Sequence, residues 1–326
     1  MNQKFSTNLI SVSGFGFSGS GLIIDFLNSS NNTVFSPVEF RLLKDVDGLL
    51  NLRNSFIGQG NYMNIDITLK RFKRFCNVLA RKNNINFGMN YNHLSDDTFL
   101  EHINVFTEEI VSGKYWSDAF VFKYHKSDIS QILWKVLRKL KFKIIADQRF
   151  IPVSIEEFDI SLNKLLNNLF RDMSNNTDNF LVLDQAIDAT AINSYRELLG
   201  NTKCIVVGRD PRDSYTDLFK SKDVLYDVDQ FIYIFKTMRL MFHENSHKLE
   251  NVLYVQFESF LTSFEIEAKR VIDFTKGSKD DFSLDDCLNY KYNKSLKNIG
   301  IHKNFNDQLA IKKIEKELNE YCYYKK

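Results

Sequence analysis

Proline is scarce in this chain, at 3 residues in 326. With no proline-rich linker, internal repeat or low-complexity tract to divide it, the sequence reads as one domain spanning 1–326. An excess of either charge is missing too: 43 Lys and Arg stand against 41 Asp and Glu, for a formal net charge of +2. That balance excludes a global polyelectrolyte attraction to nucleic acid, so any anion must be bound locally. No long apolar run opens the sequence. Met1 to Ser13 carry a single lysine and a short apolar stretch, which fits neither a signal peptide nor a membrane anchor, and a cytoplasmic protein without a membrane span is expected. Cysteine is limited to Cys76, Cys204, Cys287 and Cys322, scattered without Cys-x-x-Cys spacing. Reduced thiols and no cysteine-held metal follow.

What is present is an ordinary globular composition, 44% hydrophobic and 26% charged, in which short apolar runs alternate with helical patterns. Such alternation predicts an α/β layer protein with a central parallel sheet flanked by helices. Strands are expected at 9–12, 33–35, 180–183, 204–207 and 252–255, with a weaker candidate at 142–145. Helices are expected at 22–28, at 189–199 closed by Gly200, and at 214–220. Between about 66 and 171 the pattern turns helical and basic, and it reads as a helical insertion. Within it, Lys70-Arg71-Phe72-Lys73-Arg74-Phe75 with Arg81 and Lys82, and the stretch 135–143, interleave basic and apolar residues at helical spacing. A helix with one solvated face accounts for that, and a groove for an anionic glycan is the sharper alternative. His125 and Trp116 read as core or rim residues. His243-Glu244-x-x-His247 has the spacing of a zinc-protease helix, but it falls just before a strand and away from any cleft loop. No metal site is assigned to it.

Two segments carry chemistry. Ser13-Gly14-Phe15-Gly16-Phe17-Ser18-Gly19-Ser20-Gly21 follows the first strand and opens the first helix, where backbone N–H groups and the helix dipole make an anion cradle. Gly14-x-Gly16-x-x-Gly19 also fits a dinucleotide fingerprint, with Glu39 near the distance of a ribose-binding carboxylate, so a nicotinamide-dependent (NAD) oxidoreductase is one alternative. A nucleoside-triphosphatase loop fails, because its lysine position holds Ser20. The blandest reading is a tight turn without a ligand. The second segment is Cys204-Ile205-Val206-Val207-Gly208-Arg209-Asp210-Pro211-Arg212-Asp213, a buried strand breaking into a turn whose arginines can offer guanidinium forks to a phosphate.

Together these segments resemble the sulfotransferase family. Ser18-Gly19-Ser20-Gly21 is similar to its loop for the 5′-phosphosulfate of 3′-phosphoadenylyl sulfate (PAPS), and Arg209-Asp210-Pro211-Arg212-Asp213 to its 3′-phosphate-binding turn. Val255-Gln256-Phe257-Glu258-Ser259-Phe260 and Lys297-Asn298-Ile299-Gly300 resemble the strand and the closing loop that follow in the family. The helical insertion is not covered. The resemblance implies a P-loop-like three-layer sandwich and metal-free transfer of a sulfuryl group from PAPS to a hydroxyl, with 3′-phosphoadenosine 5′-phosphate (PAP) as product. It further implies a carbohydrate acceptor and is compatible with a homo-oligomer. Gly16, Phe17, Ser18, Gly19, Ser20 and Gly21 would hold the 5′ end of the donor. Arg209, Lys297 and Gly300 would hold the 3′-phosphate, with Thr216, Ser214 or Asp217 near the place of a family serine.

Two departures bear on function. Phe17 stands where the family carries Lys or Arg, leaving Arg41 or Lys44 to supply the missing cation. Asp217 stands where a serine is usual, and a carboxylate cannot donate to a phosphate. A protein that binds the nucleotide without catalysis is therefore a second alternative. The proton of the attacking hydroxyl needs a base. Glu39, in a place similar to that of the glutamate of carbohydrate-acting members, is the first candidate, and Asp184, at the end of the strand before the arginine turn, is the second.

Overall fold

Apolar residues in consecutive rather than alternating positions make strands that can be buried on both faces, and five such runs form one sheet. The structure is a computed structural model. It describes residues 8–30, 32–36, 38–57, 61–82, 88–92, 98–117, 127–140, 147–174, 180–200, 202–221, 227–246, 249–275 and 291–324. Two compact units divide it, one made of 1–44 with 169–326 and the other of 45–168.

In the first unit, β1 (Leu9–Gly14), β2 (Thr33–Phe35), β5 (Phe180–Asp184), β6 (Lys203–Gly208) and β7 (Val252–Gln256) stand in the order β2-β5-β1-β6-β7. Every pairing is parallel, with Leu9 opposite Leu181, Val12 opposite Ile205 and Val207 opposite Val255. The expected parallel sheet and its five expected strands are thus present. The candidate at 142–145 falls outside the described residues, as do Cys287, His125 and His247.

The helices of this unit are α1 (Ser20–Asn28), α7 (Ile192–Leu199), α8 (Pro211–Ser221), α9 (Val228–Ser246), α10 (Phe257–Thr262), α11 (Phe264–Thr275), α12 (Lys291–Leu296) and α13 (Gln308–Glu317). Ile10 and Val12 pack with Ile23 and Leu27 of α1 and with Phe260 and Val271 of α10 and α11. A separate cluster joins α8, α9 and α13 through Tyr215, Phe231, Phe235 and Ile314. Two helix starts differ from expectation for local reasons. α8 begins at Pro211, where a missing N–H removes no helical bond, and the Asp210 side chain accepts from the Arg212 N–H at 2.8 Å. α7 begins late because Asp188 Oδ1 first accepts from the Thr190 N–H and hydroxyl, at 2.8 and 2.7 Å, and that turn competes with the helix.

The second unit holds α2 (Leu49–Ile57), α3 (Tyr62–Ala80), α4 (Phe99–Glu109), α5 (Asp128–Lys139) and most of α6 (Ile155–Met173). It also holds β3 (Val111–Ser117) antiparallel to β4 (Asp147–Pro152), so the insertion expected to be helical carries a strand pair as well. On α3 Arg71 and Arg74 of the basic run are exposed while Ile65, Leu69, Phe72 and Cys76 are buried, as expected of a helix with a solvated face, and Lys70 turns inward to Asp66 and the Gln148 carbonyl. Asp66 joins α3 to β4: its buried carboxylate accepts from Arg149 Nη1 at 2.8 Å and from the Phe150 N–H at 3.1 Å. Lys70 Nζ reaches the same carboxylate at 3.1 Å from a side chain that is 35% exposed, so removing Arg149 costs the buried charge its buried partner but not every cation. Arg149→Ala is expected to lower unfolding stability by about 1.5–3 kcal/mol in urea titrations, and a loss below about 1 kcal/mol would count against this account of the pair.

Candidate functional site

In an open parallel sheet, ligands bind beyond the carboxyl ends of the strands where the strand order reverses. β1 is that reversal point, with β5 on one side and β6 on the other. The glycine loop leaves β1 there. Gly16 and Gly19 have φ of 80° and 78°, and Phe17, unusually for a bulky residue, has φ of 49°. A Cβ on Gly19 would also lie 2.5 Å from the Phe257 ring. Gly19 gives α1 no side-chain cap and the first turn holds no acid, so amides at the positive end of the helix dipole are left for an external acceptor.

The loop forms one wall of a cleft of about 480 Å³, which Glu39, Arg41, Lys44 and Gln185 complete. Pairing of β2 with β5 brings Glu39 there, with Asp184 behind it at the end of β5. The Ser36 N–H bonds to Val182 O at 3.1 Å and the Phe40 N–H to Asp184 O at 2.7 Å, which holds Glu39 beside the end of β5. Arg41 Nη1 donates to Glu39 Oε2 at 2.7 Å, across a pair that is about 40% exposed on each side. An ion pair so open to water is worth little, and a substrate can exchange with either partner. Lys44 Nζ donates to Gln185 Oε1 at 3.3 Å, and Gln185 Nε2 to Ser20 Oγ at 3.0 Å. Asp184 is half-buried, and its Oδ1 has no hydrogen-bond partner among the described residues. Burial chiefly, then the charge of Glu39, push its carboxyl up to about 6, against a smaller downward pull from Lys44.

Arg209, at the end of β6, is 6% exposed. Nη1 donates to Phe17 O at 3.1 Å and to Asp217 Oδ2 at 2.6 Å, Nη2 donates to Asn298 O at 2.8 Å, and the guanidinium lies 5.1 Å from the centre of the Phe257 ring. The glycine loop, the arginine turn and the 297–300 turn therefore meet at one side chain. Asp213 fixes the last of these, accepting from the N–H groups of Gly300 and His302 at 2.7 and 3.0 Å. Burial would raise the Asp213 carboxyl, but these bonds and the His302 imidazole outweigh it and hold the group below the usual carboxylate range. Lys297 is exposed. Thr216 is fully buried and its hydroxyl bonds to Arg212 O at 2.8 Å, while Asp217 is the residue on Arg209. Arg212, expected as a second anion fork, is instead held by Asp210, Glu315 and the Tyr323 carbonyl, because the turn aims it away from the glycine loop.

Reasoning from sequence missed Arg239 on α9. Its guanidinium sits 4.7 to 5.1 Å from the ring centres of Phe15, Tyr254 and Tyr321, and it thereby props the glycine loop at Phe15. Only the spacing of Arg239 and Phe242 was local enough to signal it. The buried chain from Tyr254 through Gln256 and Glu258 to the Asp210 N–H, with bonds of 2.6 to 2.9 Å, was missed as well. His243 and Glu244 are exposed on α9, and no cluster able to hold a metal occurs among the described residues. Nor does any described helix have the length and apolarity to cross a membrane. Cys76 and Cys204 are buried, and burial pushes the Cys204 thiol up to about 12.

No protein-family model matches the chain, and no curated protein matches it in sequence. Solved structures similar to it include the sulfotransferase domain of the Synechococcus PCC 7002 olefin synthase, 11% identical with a TM-score of 0.47 over 98% of this chain and 96% of that one. Sulfotransferase STF9 from Mycobacterium avium is 9% identical with a TM-score of 0.41, covering 97% of this chain and 76% of its own. The sulfotransferase domain from the curacin biosynthetic pathway is 13% identical with a TM-score of 0.42, over 96% and 97% of the two chains.

The position of Asp184 has a measurable consequence. A carboxyl raised from 3.8 to about 6 by folding keeps its proton in the native state after the unfolded chain has lost it. Its contribution to stability is full below the unfolded value and is lost as the pH rises through about 6. Thermal midpoints of Asp184→Asn should gain on those of the parent chain across that window and stay level above it. Parallel curves from acid to neutral pH would contradict the assignment.

Proposed function

We propose that the chain is a sulfotransferase that moves a sulfuryl group from PAPS to a hydroxyl of a carbohydrate. The observation that carries this reading is the meeting of an uncapped helix N-terminus, a cation and a carboxylate in one cleft at the strand ends. The loop fits a sulfuryl or phosphoryl oxyanion: its left-handed glycines present the backbone and its serines add hydroxyls. The loop 16–21 then holds the 5′-phosphosulfate, and Arg209 with the 297–300 turn holds the 3′-phosphate. Lys44 and Arg41 supply the positive charge that Phe17 does not, against the negative charge that gathers on the transferring group.

In the proposed step the acceptor oxygen attacks sulfur. A new S–O bond forms as the bond from sulfur to the bridging oxygen of the 5′-phosphate breaks, its electron pair leaves with the phosphate as PAP, and the acceptor proton passes to Glu39. General-base assistance of this kind is worth about 10²–10⁴-fold. Glu39→Gln should lower kcat by that order with donor binding retained, whereas Arg209→Ala should raise the apparent donor KM at least about tenfold. Transfer of labelled sulfate from PAPS to glycans and to small alcohols is the assay. Unchanged kinetics in both variants, or the same turnover on every alcohol tried, would overturn the residue roles or the carbohydrate acceptor respectively.

Phe17, in the family's cation position, favours one other reading, a nucleotide-binding protein without transferase activity. Lys44→Met separates the two. On the transferase reading it lowers kcat more than donor affinity, and on the binding reading no acceptor is sulfated by either protein. A dinucleotide oxidoreductase would instead be stabilised against heat by NAD(H) and not by PAP.

A further inference from the structure

Arg209 has five N–H donors in a fixed plane, and three acceptors of the protein already engage the two terminal nitrogens. Two of these acceptors are neutral carbonyls, of Phe17 and Asn298. The third is the Asp217 carboxylate, which supplies the guanidinium with a full counter-charge at 2.6 Å. The two partners differ in their access to water: the Arg209 side chain is 4% exposed and that of Asp217 is 30% exposed. Asp217 lies on α8, two helical turns past Pro211, with one edge open to solvent. It is the partner that an incoming anion would meet and have to displace. A phosphate brought to Arg209 therefore finds a guanidinium whose charge is already balanced, beside a carboxylate of its own sign.

Resting on the reading above that Arg209 faces the 3′-phosphate of the donor, we infer that Asp217 is a specificity-determining residue of the donor site. It acts as a built-in anion on Arg209 and weakens the preference for a nucleotide that carries a phosphate at this position over one that lacks it. Exchange with Asp217 offsets most of what the second phosphate gains, so recognition falls mainly on the 5′ end at the glycine loop. Serine or asparagine at 217 would leave Arg209 with an uncompensated charge and restore the preference.

The test compares PAP with AMP, which lacks the 3′-phosphate, by calorimetric titration of the full chain and of Asp217→Asn and Asp217→Ser. Asparagine keeps the volume of the side chain and an acceptor for Arg209, so it isolates the charge. The parent chain is expected to hold PAP less than about tenfold tighter than AMP, and both variants should widen that ratio about tenfold or more with AMP affinity unchanged. A merely structural role for the pair would weaken both nucleotides together. A parent ratio already near a hundredfold, or a ratio that neither variant widens, would overturn the inference while leaving the donor assignment standing. Failure of all three folded proteins to bind either nucleotide would overturn the donor assignment, and this inference with it.

Discussion

A guanidinium taken almost wholly out of water stays charged, so the protein must supply it with acceptors or lose stability to its desolvation. Arg209 receives them from three segments far apart in sequence: Phe17 in the glycine loop, Asp217 on α8 and Asn298 in the turn before Gly300. The requirement runs both ways. The arginine is held by the three segments, and the three segments are held in register by the arginine. Because the bond from the glycine loop is made through the Phe17 carbonyl, the chain can carry a phenyl ring at that position and still fix the loop.

Around this side chain, whose Nε is left without a partner among the described residues, the neighbouring buried polar groups are linked in series. Glu258 accepts from the Asp210 N–H and from Gln256, and Asp210 in turn accepts from Arg212 and from the Tyr323 N–H. Asp213 takes the N–H groups of the turn that follows Lys297. Such a network leaves the turn after β6 little freedom. Loop and closing turn thus meet already shaped, which would lower the ordering cost of the donor binding proposed for them. Tyr254 packs against Gly208 so closely that a Cβ there would lie 1.9 Å from its hydroxyl, and the small residue at the end of β6 is part of the same constraint.

The sheet was legible because its strands are consecutive apolar runs, which only burial on both faces explains; 33–35 matched to the residue, and the other four extended by one or two. β3 and β4 were not legible. Their sequences, VSGKYWS and DQRFIP, lack both a continuous apolar run and a strict alternation, and the pairing partner lies about thirty residues away. At the site, the glycine loop, Glu39, Arg41, Lys44 and Asp184 were readable from residue type and strand ends, as was the pairing of Glu39 with Arg41. Asp217 was visible as a departure, but its place on Arg209 was not: the two are eight residues apart across a strand-to-helix turn, and only the geometry of α8 turns one toward the other. Arg239 was hidden for the same reason, since three of its four aromatic neighbours, Phe15, Tyr254 and Tyr321, come from distant parts of the chain.

The two carboxylates beside the cleft illustrate how environment can divide one chemistry between like groups. Glu39 borders the cleft and is open to water beside Arg41, so it can meet a bound molecule and lose its ion pair at little cost. Asp184 is half-buried, and its acidity answers first to burial and then to the charge of Glu39. When Glu39 takes up a proton its negative charge disappears, and the pressure on Asp184 to hold a proton falls with it. In the proposed reaction Glu39 is the carboxylate placed to meet the acceptor, while Asp184 is set back and governed by burial and by the charge that Glu39 carries.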